Sequence, residues 1–107
     1  MDKVKIVVFV PEAHTDAVRK AIGKAGGGVI GKYSHCSFSI KGVGRFKPLK
    51  GAKPAIGKVG QFESAKEERI EFVCLKSKIK RVLKAINKAH PYEEPATDIY
   101  PLLELDS

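Results

Sequence analysis

Residues 90–102, His-Pro-Tyr-Glu-Glu-Pro-Ala-Thr-Asp-Ile-Tyr-Pro-Leu, predict where the last helix of this chain ends and where its last strand lies. Pro91 ends a helix, because proline has no N–H to donate and its ring clashes with the preceding turn. Pro95 and Pro101 frame an expected strand at about 96–102, and the missing N–H confines such a strand to a sheet edge or to a strand terminus. The stretch therefore indicates a helix exit followed by an edge strand.

The segment before this exit predicts a strand and then the helix that Pro91 ends. Residues 62–75 contain the strand, with Ile70 and Phe72 on one face. Ser77 is placed to cap the helix. The apolar residues of the helix recur at helical spacing, at Ile79, Val82, Leu83, Ile86 and Ala89.

The first half of the chain predicts a strand, a helix and a second strand. Residues 4–10 are β-branched or aromatic apart from one lysine, which is the composition of a central strand covered on both faces. A helix is expected over about 12–25, with Gly26 ending it. Residues 29–40 are then expected to form a strand with one apolar face and with His35 on the other face.

The predicted order is strand, helix, strand, strand, helix, strand. Right-handed crossovers then favour an α+β, ferredoxin-like βαββαβ sandwich, a four-stranded antiparallel sheet with two helices on one face. A chain of 107 residues fits one domain, residues 1–107. The other sheet face would carry Val7 and Phe9, and covering these side chains requires another subunit. The pattern therefore predicts an oligomer, either a dimer or a trimer.

The composition excludes several classes of protein. The apolar fraction of 43% supports a packed core. No run approaches the ~20 apolar residues that span a bilayer, and no signal-peptide pattern opens the sequence, so a cytoplasmic protein without a membrane anchor is expected. Cys36 and Cys74 have neither metal-finger spacing nor the density of a disulfide scaffold, and we expect both to be reduced and buried.

Residues 41–61 are rich in glycine, proline and lysine, which predicts a long loop of the kind that is often functional. Residues 41–58 contain no acid, in a chain of net charge +8. Their six cations are Lys41, Arg45, Lys47, Lys50, Lys53 and Lys58. This loop is the expected binding element, and a solvated charge run is the alternative. Phe46 among the cations leaves open nucleic-acid binding through the loop, which would weaken steeply with salt.

The glycine run at 26–33 approaches a phosphate-binding P-loop but fails its requirements. Tyr33 stands where a P-loop needs Ser or Thr for the metal ion. The glycines also follow a predicted helix and precede a strand, which reverses the order that a P-loop uses. We interpret the run as a helix cap and turn.

Chemically active side chains concentrate at His90, Tyr92, Glu93 and Glu94. Together with His35, the imidazole of His90 and the two carboxylates would suit Zn²⁺ or a similar divalent ion. The favoured interpretation is that His90 bonds the last carbonyls of its helix and that both acids are solvated or pair with Lys or Arg. No serine, cysteine or lysine is placed by spacing beside a base, so catalysis is not expected.

Four segments resemble one family, namely residues 33–38, 42–48, 56–60 and 90–96. The chain resembles, over nearly all of its length, the domain inserted into bacterial Nif-three-like proteins of the YqfO type, which also occurs as a free-standing small protein. That domain is ferredoxin-like and similar to the PII signalling proteins and to the CutA proteins, which form trimers, so the resemblance implies a trimer. Larger members hold a dinuclear metal site in flanking lobes and are labelled GTP cyclohydrolase homologues; this sequence shows no such lobes, so neither feature is carried over.

The sequence thus predicts a non-catalytic, oligomeric binding or regulatory domain without a certain cofactor. Its ligand would be a small anion or a partner protein, held between the basic loop and the helix exit. The expected contacts are charges from Arg45, Lys47 and Lys50 and hydrogen bonds from His35, Tyr92 and Glu93. The alternatives are a divalent-metal protein using His35, His90 and Glu93 or Glu94, and binding of nucleic acid, which is less favoured.

Overall fold

The computed structural model describes residues 2–103. Its elements are β1 (Lys3–Pro11), α1 (Thr15–Lys24), β2 (Phe38–Phe46), β3 (Glu63–Leu75), α2 (Ile79–Ala89) and β4 (Thr97–Pro101). One turn of 3₁₀ helix precedes each α-helix, at Glu12–His14 and at Lys76–Lys78. The order of strands and helices is the one that the sequence predicts.

The four strands form one antiparallel sheet in the order β2-β3-β1-β4. β1 is central and β4, which holds Pro101, is an edge strand, as the proline pattern predicts. β3 is longer than its neighbour β1, so residues 63–66 pair with β2 alone and the β2–β3 hairpin extends beyond the middle of the sheet. This is the α+β ferredoxin-like arrangement predicted from the sequence.

The core lies between the sheet and the two helices. Alternate residues of β1 and β3 are buried there, because side chains of a strand point to opposite faces. The helices contribute one apolar stripe each. The most deeply buried members are Ile6, Val8, Val10, Val18, Ile70, Val82 and Ile86.

The second strand begins later than the sequence predicts, so the expected strand at 29–40 is wrong over most of its length. Residues 29–37 form no extended strand; Ile30 and Tyr33 instead make a two-residue turn closed by backbone hydrogen bonds of 2.9 Å in both directions. His35 has a left-handed φ of 59°, which is incompatible with an extended strand. β2 instead runs through the first part of the expected loop, because β3 offers it a hydrogen-bonding partner as far as Phe46. The connection that remains is residues 47–62.

The glycine run is a helix cap and turn, as predicted. Gly26 has φ 98° and the N–H of Gly27 donates to the carbonyl of Ile22 at 2.9 Å, which closes the last turn of α1. Gly28 then donates to Val73 of β3 and accepts from Cys36, each at 2.8 Å. This ties the turn to the sheet at the Lys5 end of β1, since Lys5 pairs with Val73.

Two other local predictions are wrong. Ser77 lies inside the 3₁₀ turn and does not cap α2, which begins at Ile79 without a side-chain cap. Cys36 is partly buried, not fully, because it belongs to the irregular segment; Cys74 is buried, and burial raises the pKa of its thiol.

The sheet face opposite the helices is not covered in the way the sequence suggests. Val7 is fully buried within this chain, since it lies in register between Glu71 of β3 and Asp98 of β4 and is surrounded by longer side chains. The large hydrophobic side chains left exposed on this face are Phe38 (63%) and Ile40 (53%) of β2 and Tyr100 (45%) of β4. Most of the uncovered apolar surface is therefore on β2, which is an edge strand of the sheet.

Candidate functional site

A cavity of about 390 Å³ opens between the connection 47–62, called the loop below, and residues 90–96, called the corner. Its floor is the face of the sheet opposite the helices. Most of its walls are apolar, and the polar exceptions are few. The lining residues used below are Phe9, Gly44, Arg45, Phe46, Lys47, Pro48, Ile56, Glu67, Tyr92, Glu93 and Glu94.

A buried carboxylate lies in the floor of the cavity. Glu67 is 8% exposed, and the hydroxyl of Tyr92 donates to its Oε2 at 3.0 Å. Burial, the hydrogen bond to Glu67 and the charge of Glu67 raise the pKa of Tyr92 to about 12. Tyr92 therefore stays protonated and remains a donor at neutral pH.

His90 fastens the corner to the sheet. Its Nε2 lies 2.7 Å from the carbonyl oxygen of Phe9, and its Nδ1 lies 3.1 Å from the backbone N of Tyr92. A carbonyl requires a donor and an N–H requires an acceptor, so both bonds need neutral imidazole with the proton on Nε2. Burial lowers the pKa of His90, although the bond to Phe9 and the charge of Glu67 act in the opposite direction.

The loop and the corner are joined to each other as well. The backbone N–H of Lys53 donates to Oε1 of Glu93 at 2.8 Å. The ring of Tyr92 lies 6.0 Å from that of Phe46, at the end of β2, and 4.9 Å from that of His90. The cavity is thus bounded by segments that are far apart in the sequence and held together by polar and aromatic contacts.

The structure brings together four of the six residues predicted to bind an anion or a partner. Arg45, Lys47, Tyr92 and Glu93 line the cavity, whereas Lys50 and His35 do not. His35 packs on the last turn of α1, where a Cβ on Gly23 would collide with its ring. This lies at the opposite end of the sheet from the corner.

The residues predicted to hold a metal are not assembled within this chain. His35 and His90 lie at opposite ends of the sheet, and both ring nitrogens of His90 are in hydrogen bonds. Over residues 2–103, no group of three or more His, Cys, Asp or Glu side chains is placed to hold one ion. Metal binding stays a prediction.

The basic stretch is divided between two structural contexts. Lys41 and Arg45 lie on β2, and the other four cations lie in the loop. Nζ of Lys47 lies 5.0 Å from the ring centroid of Phe62, a side chain that is 85% exposed. Binding of nucleic acid or of an anion through this stretch stays a prediction.

Sequence reasoning missed Glu67, Phe9 and Gly44. Glu67 lies between two other charged residues of β3, Lys66 and Glu68, so the strand pattern does not indicate that its carboxylate is buried. That depends on Tyr92, which is 25 positions away in the sequence. Gly44 lies in the segment that the sequence predicts as a loop, so its place inside a strand, where glycine often marks the close approach of another group, is known only from the structure.

The neutral state of His90 predicts a pH-dependent stability. The unfolded chain binds the His90 proton near its usual pKa of about 6.5, whereas the folded protein binds it only at lower pH. This stabilisation is therefore complete above about pH 6.5 and is lost as the pH falls through the lower, folded value. Urea unfolding at a series of pH values should show that His90→Gln loses less stability on acidification than the wild type. Equal losses in both proteins would contradict the assignment.

None of the helices within residues 2–103 is long and apolar enough to cross a membrane.

Comparisons with known proteins agree with this fold. The chain is 55% identical over 98 residues to the GTP cyclohydrolase 1 type 2 homolog of Bacillus subtilis, a match that covers 92% of this chain and 26% of the relative. It superposes with a TM-score of 0.83 on the crystal structure of a Bacillus cereus protein related to NIF3, at 50% identity, covering 94% of this chain and 26% of that one. No family model matches the chain.

A more distant neighbour shares the fold alone. The periplasmic divalent cation tolerance protein CutA from Archaeoglobus fulgidus superposes with a TM-score of 0.68 at 16% identity, covering 95% of this chain and 85% of that one. The resemblance to Nif-three-like and CutA proteins that the sequence indicates is thereby confirmed. The chain spans about a quarter of the length of the curated relatives it matches, 26% in the case above. The activity named for those longer proteins is therefore not assigned to it.

Proposed function

We propose that this chain, a homologue of part of the Nif-three-like proteins, is a non-catalytic binding or regulatory module that assembles as a trimer. The observation that supports it best is the cavity between the loop and the corner, since its walls are joined by the Tyr92–Glu67 and Lys53–Glu93 hydrogen bonds. A largely preformed, mostly apolar cavity with a few converging polar groups is the usual form of a small-molecule site.

Ligand binding in the cavity would also change the affinity of this module for a partner protein. A ligand in it would contact the loop and the corner together, because both line it. Binding would then restrict the loop, which continues the projecting β2–β3 hairpin and is largely exposed. Order gained in an exposed loop is a common way for a bound ligand to change the affinity for another protein.

The assembly is proposed to use the exposed apolar side chains of β2 on the sheet face opposite the helices. Phe38 and Ile40 both point to that face, since they pair with Glu71 and Arg69 of β3. A contiguous exposed apolar patch in a small protein commonly marks a subunit interface. The resemblance to the CutA proteins favours three copies around this face.

Two matched substitutions test the assembly. Ile40→Asp places a charge in the proposed interface, and Val43→Asp places the same charge three residues along β2, on the opposite face. Ile40 and Val43 are 53% and 54% exposed, so the two changes have similar costs for an isolated chain. Sedimentation velocity should find trimers for the wild type and for Val43→Asp, and monomers for Ile40→Asp. A monomeric wild type, or trimers of all three proteins, would rule out this interface.

A further inference from the structure

We propose that the cavity binds a small organic cation, with an ammonium group that donates to Oε1 of Glu67 and an apolar body packed between the loop and the corner. This names the ligand class for the proposed function, on which it rests. It differs from the anion that the basic stretch suggests.

The first support is the incomplete pairing of a buried carboxylate. Glu67 is more than nine-tenths buried, and one neutral hydroxyl donates to its Oε2. Within residues 2–103, the ion pairs involve other acids, and no side-chain or backbone donor is bonded to Oε1. Taking a carboxylate out of water costs more than a single neutral hydrogen bond returns, so a cation at Oε1 would be strongly favoured.

The second support is the space around Oε1. A Cβ on Gly44 would occupy the position of this oxygen, so glycine is what allows the carboxylate to lie there. Phe9, Gly44 and Glu67 also border a second cavity, of about 260 Å³, whose lining includes the cations Lys41 and Arg69. The carboxylate thus forms part of the boundary shared by two openings in the surface.

The charges of the lining residues point to the same class of ligand. The cavity is lined by three carboxylates, of Glu67, Glu93 and Glu94, and by two cations, although the whole chain has a net charge of +8. The ammonium group of Lys47, one of those cations, lies over the ring of Phe62. An anion in the cavity would lie beside the buried Glu67 and be repelled by it.

The remaining walls suit the rest of such a ligand. The ring of Tyr92, whose hydroxyl is bonded to Glu67, borders the carboxylate, and an ammonium group is attracted to an aromatic face within about 6 Å of its centroid. Phe46, Pro48 and Ile56 supply apolar surface farther from Glu67. The volume of about 390 Å³ is at the small end of the range for ligand sites.

Three probes of nearly the same shape test the charge preference, namely phenethylamine, hydrocinnamate and phenethyl alcohol. Each is titrated into the full chain at neutral pH, and the backbone amide signals of Gly44, Glu67 and Tyr92 are followed by NMR. We expect saturable shifts with the amine and none with the acid. Binding of the acid or the alcohol as tightly as the amine would overturn the inference.

Two variants test whether amine binding depends on the charge of Glu67. Glu67→Gln keeps the shape and an acceptor for Tyr92, and it should weaken amine binding by about tenfold or more, as loss of a charged hydrogen bond does. Glu68→Gln is the matched control, because it removes a charge from the next residue of β3, which lies on the opposite face of the sheet and outside the cavity lining, and it should bind the amine as tightly as the wild type. Unchanged binding in Glu67→Gln, or equal weakening in both variants, would overturn the inference.

The outcomes also distinguish this inference from the proposed function. Shifts of the same amides with the acid alone would leave the cavity as a ligand site and refute its preference for a cation. No shift with any of the three probes would count against both, whereas the assembly experiment tests the trimer independently of the cavity.

Discussion

Replacing Phe72 by alanine is expected to lower the free energy of unfolding by about 3–5 kcal/mol, the usual cost of removing a buried aromatic ring. Phe72 is 3% exposed near the C-terminal end of β3, where it pairs with Ile6 of β1. Its ring also lies against the glycine turn, since a Cβ on Gly27 would approach it to 2.9 Å. The loss would remove a large part of the roughly 5–15 kcal/mol that keeps a domain folded. Urea unfolding followed by circular dichroism measures it.

Phe38→Ala is the matched control, because Phe38 lies on the adjacent strand and is 63% exposed. Both changes are best made in the Ile40→Asp background, so that assembly does not add to the measured stability. There, Phe38→Ala should change the free energy of unfolding by no more than about 0.5 kcal/mol. Equal losses for the two phenylalanines would mean that the core is misassigned.

Gly28→Ala is expected to destabilise the protein by about 3 kcal/mol or more, the sum of a backbone penalty and a steric clash. Gly28 has φ 76°, a conformation that costs an L-residue roughly 1–2 kcal/mol. The added Cβ would also run into the carbonyl oxygen of Cys36 and approach its N to 2.9 Å. Since this clash involves backbone atoms, relief requires breaking the hydrogen bonds that tie the turn to Val73.

Gly31→Ala isolates the backbone penalty. Gly31 also has a left-handed φ, 56°, but its added Cβ would meet no atom of residues 2–103 within 4 Å. Its substitution should therefore cost about 1–2 kcal/mol. Guanidinium unfolding measures the loss in the free energy of unfolding for both variants. A loss for Gly28→Ala no greater than that for Gly31→Ala would show that the turn rearranges at little cost.

The two substitutions with the largest expected loss of stability lie at the end of the sheet near Lys5, whereas the cavity lies at the other end. Phe72 and Gly28 fasten the glycine turn to the sheet at the first end. At the second end, the walls of the cavity are joined by hydrogen bonds to Glu67 and Glu93. A substitution in the cavity can therefore alter binding without removing the core.

Much of the fold could be predicted because its signals are local. The apolar run of β1, the helical spacing in α2 and the prolines on either side of β4 each report the environment of neighbouring residues. The segment 29–37 was mispredicted because an even spacing of apolar residues also occurs by chance in a chain that turns. Left-handed φ angles at Gly31 and His35 break the pleat, and the second of these carries no sequence signal.

The site was predictable in part. The corner and the loop were expected to face each other, and Arg45, Lys47, Tyr92 and Glu93 do line one cavity. Lys50 was predicted because it lies in the same basic stretch as Arg45 and Lys47, and His35 because it was expected on the polar face of a strand. Neither property determines a position in space.

By itself, the sequence determined the order of strands and helices, the edge position of β4 and the similarity to the Nif-three-like proteins, because each depends on residues close together in the chain. Only the tertiary structure decided which charge the cavity presents. Tyr92 meets Glu67 across 25 positions, and His90 meets the Phe9 carbonyl across 81. Such contacts arise from strand register and helix packing, and these are set by the whole fold and not by any one segment.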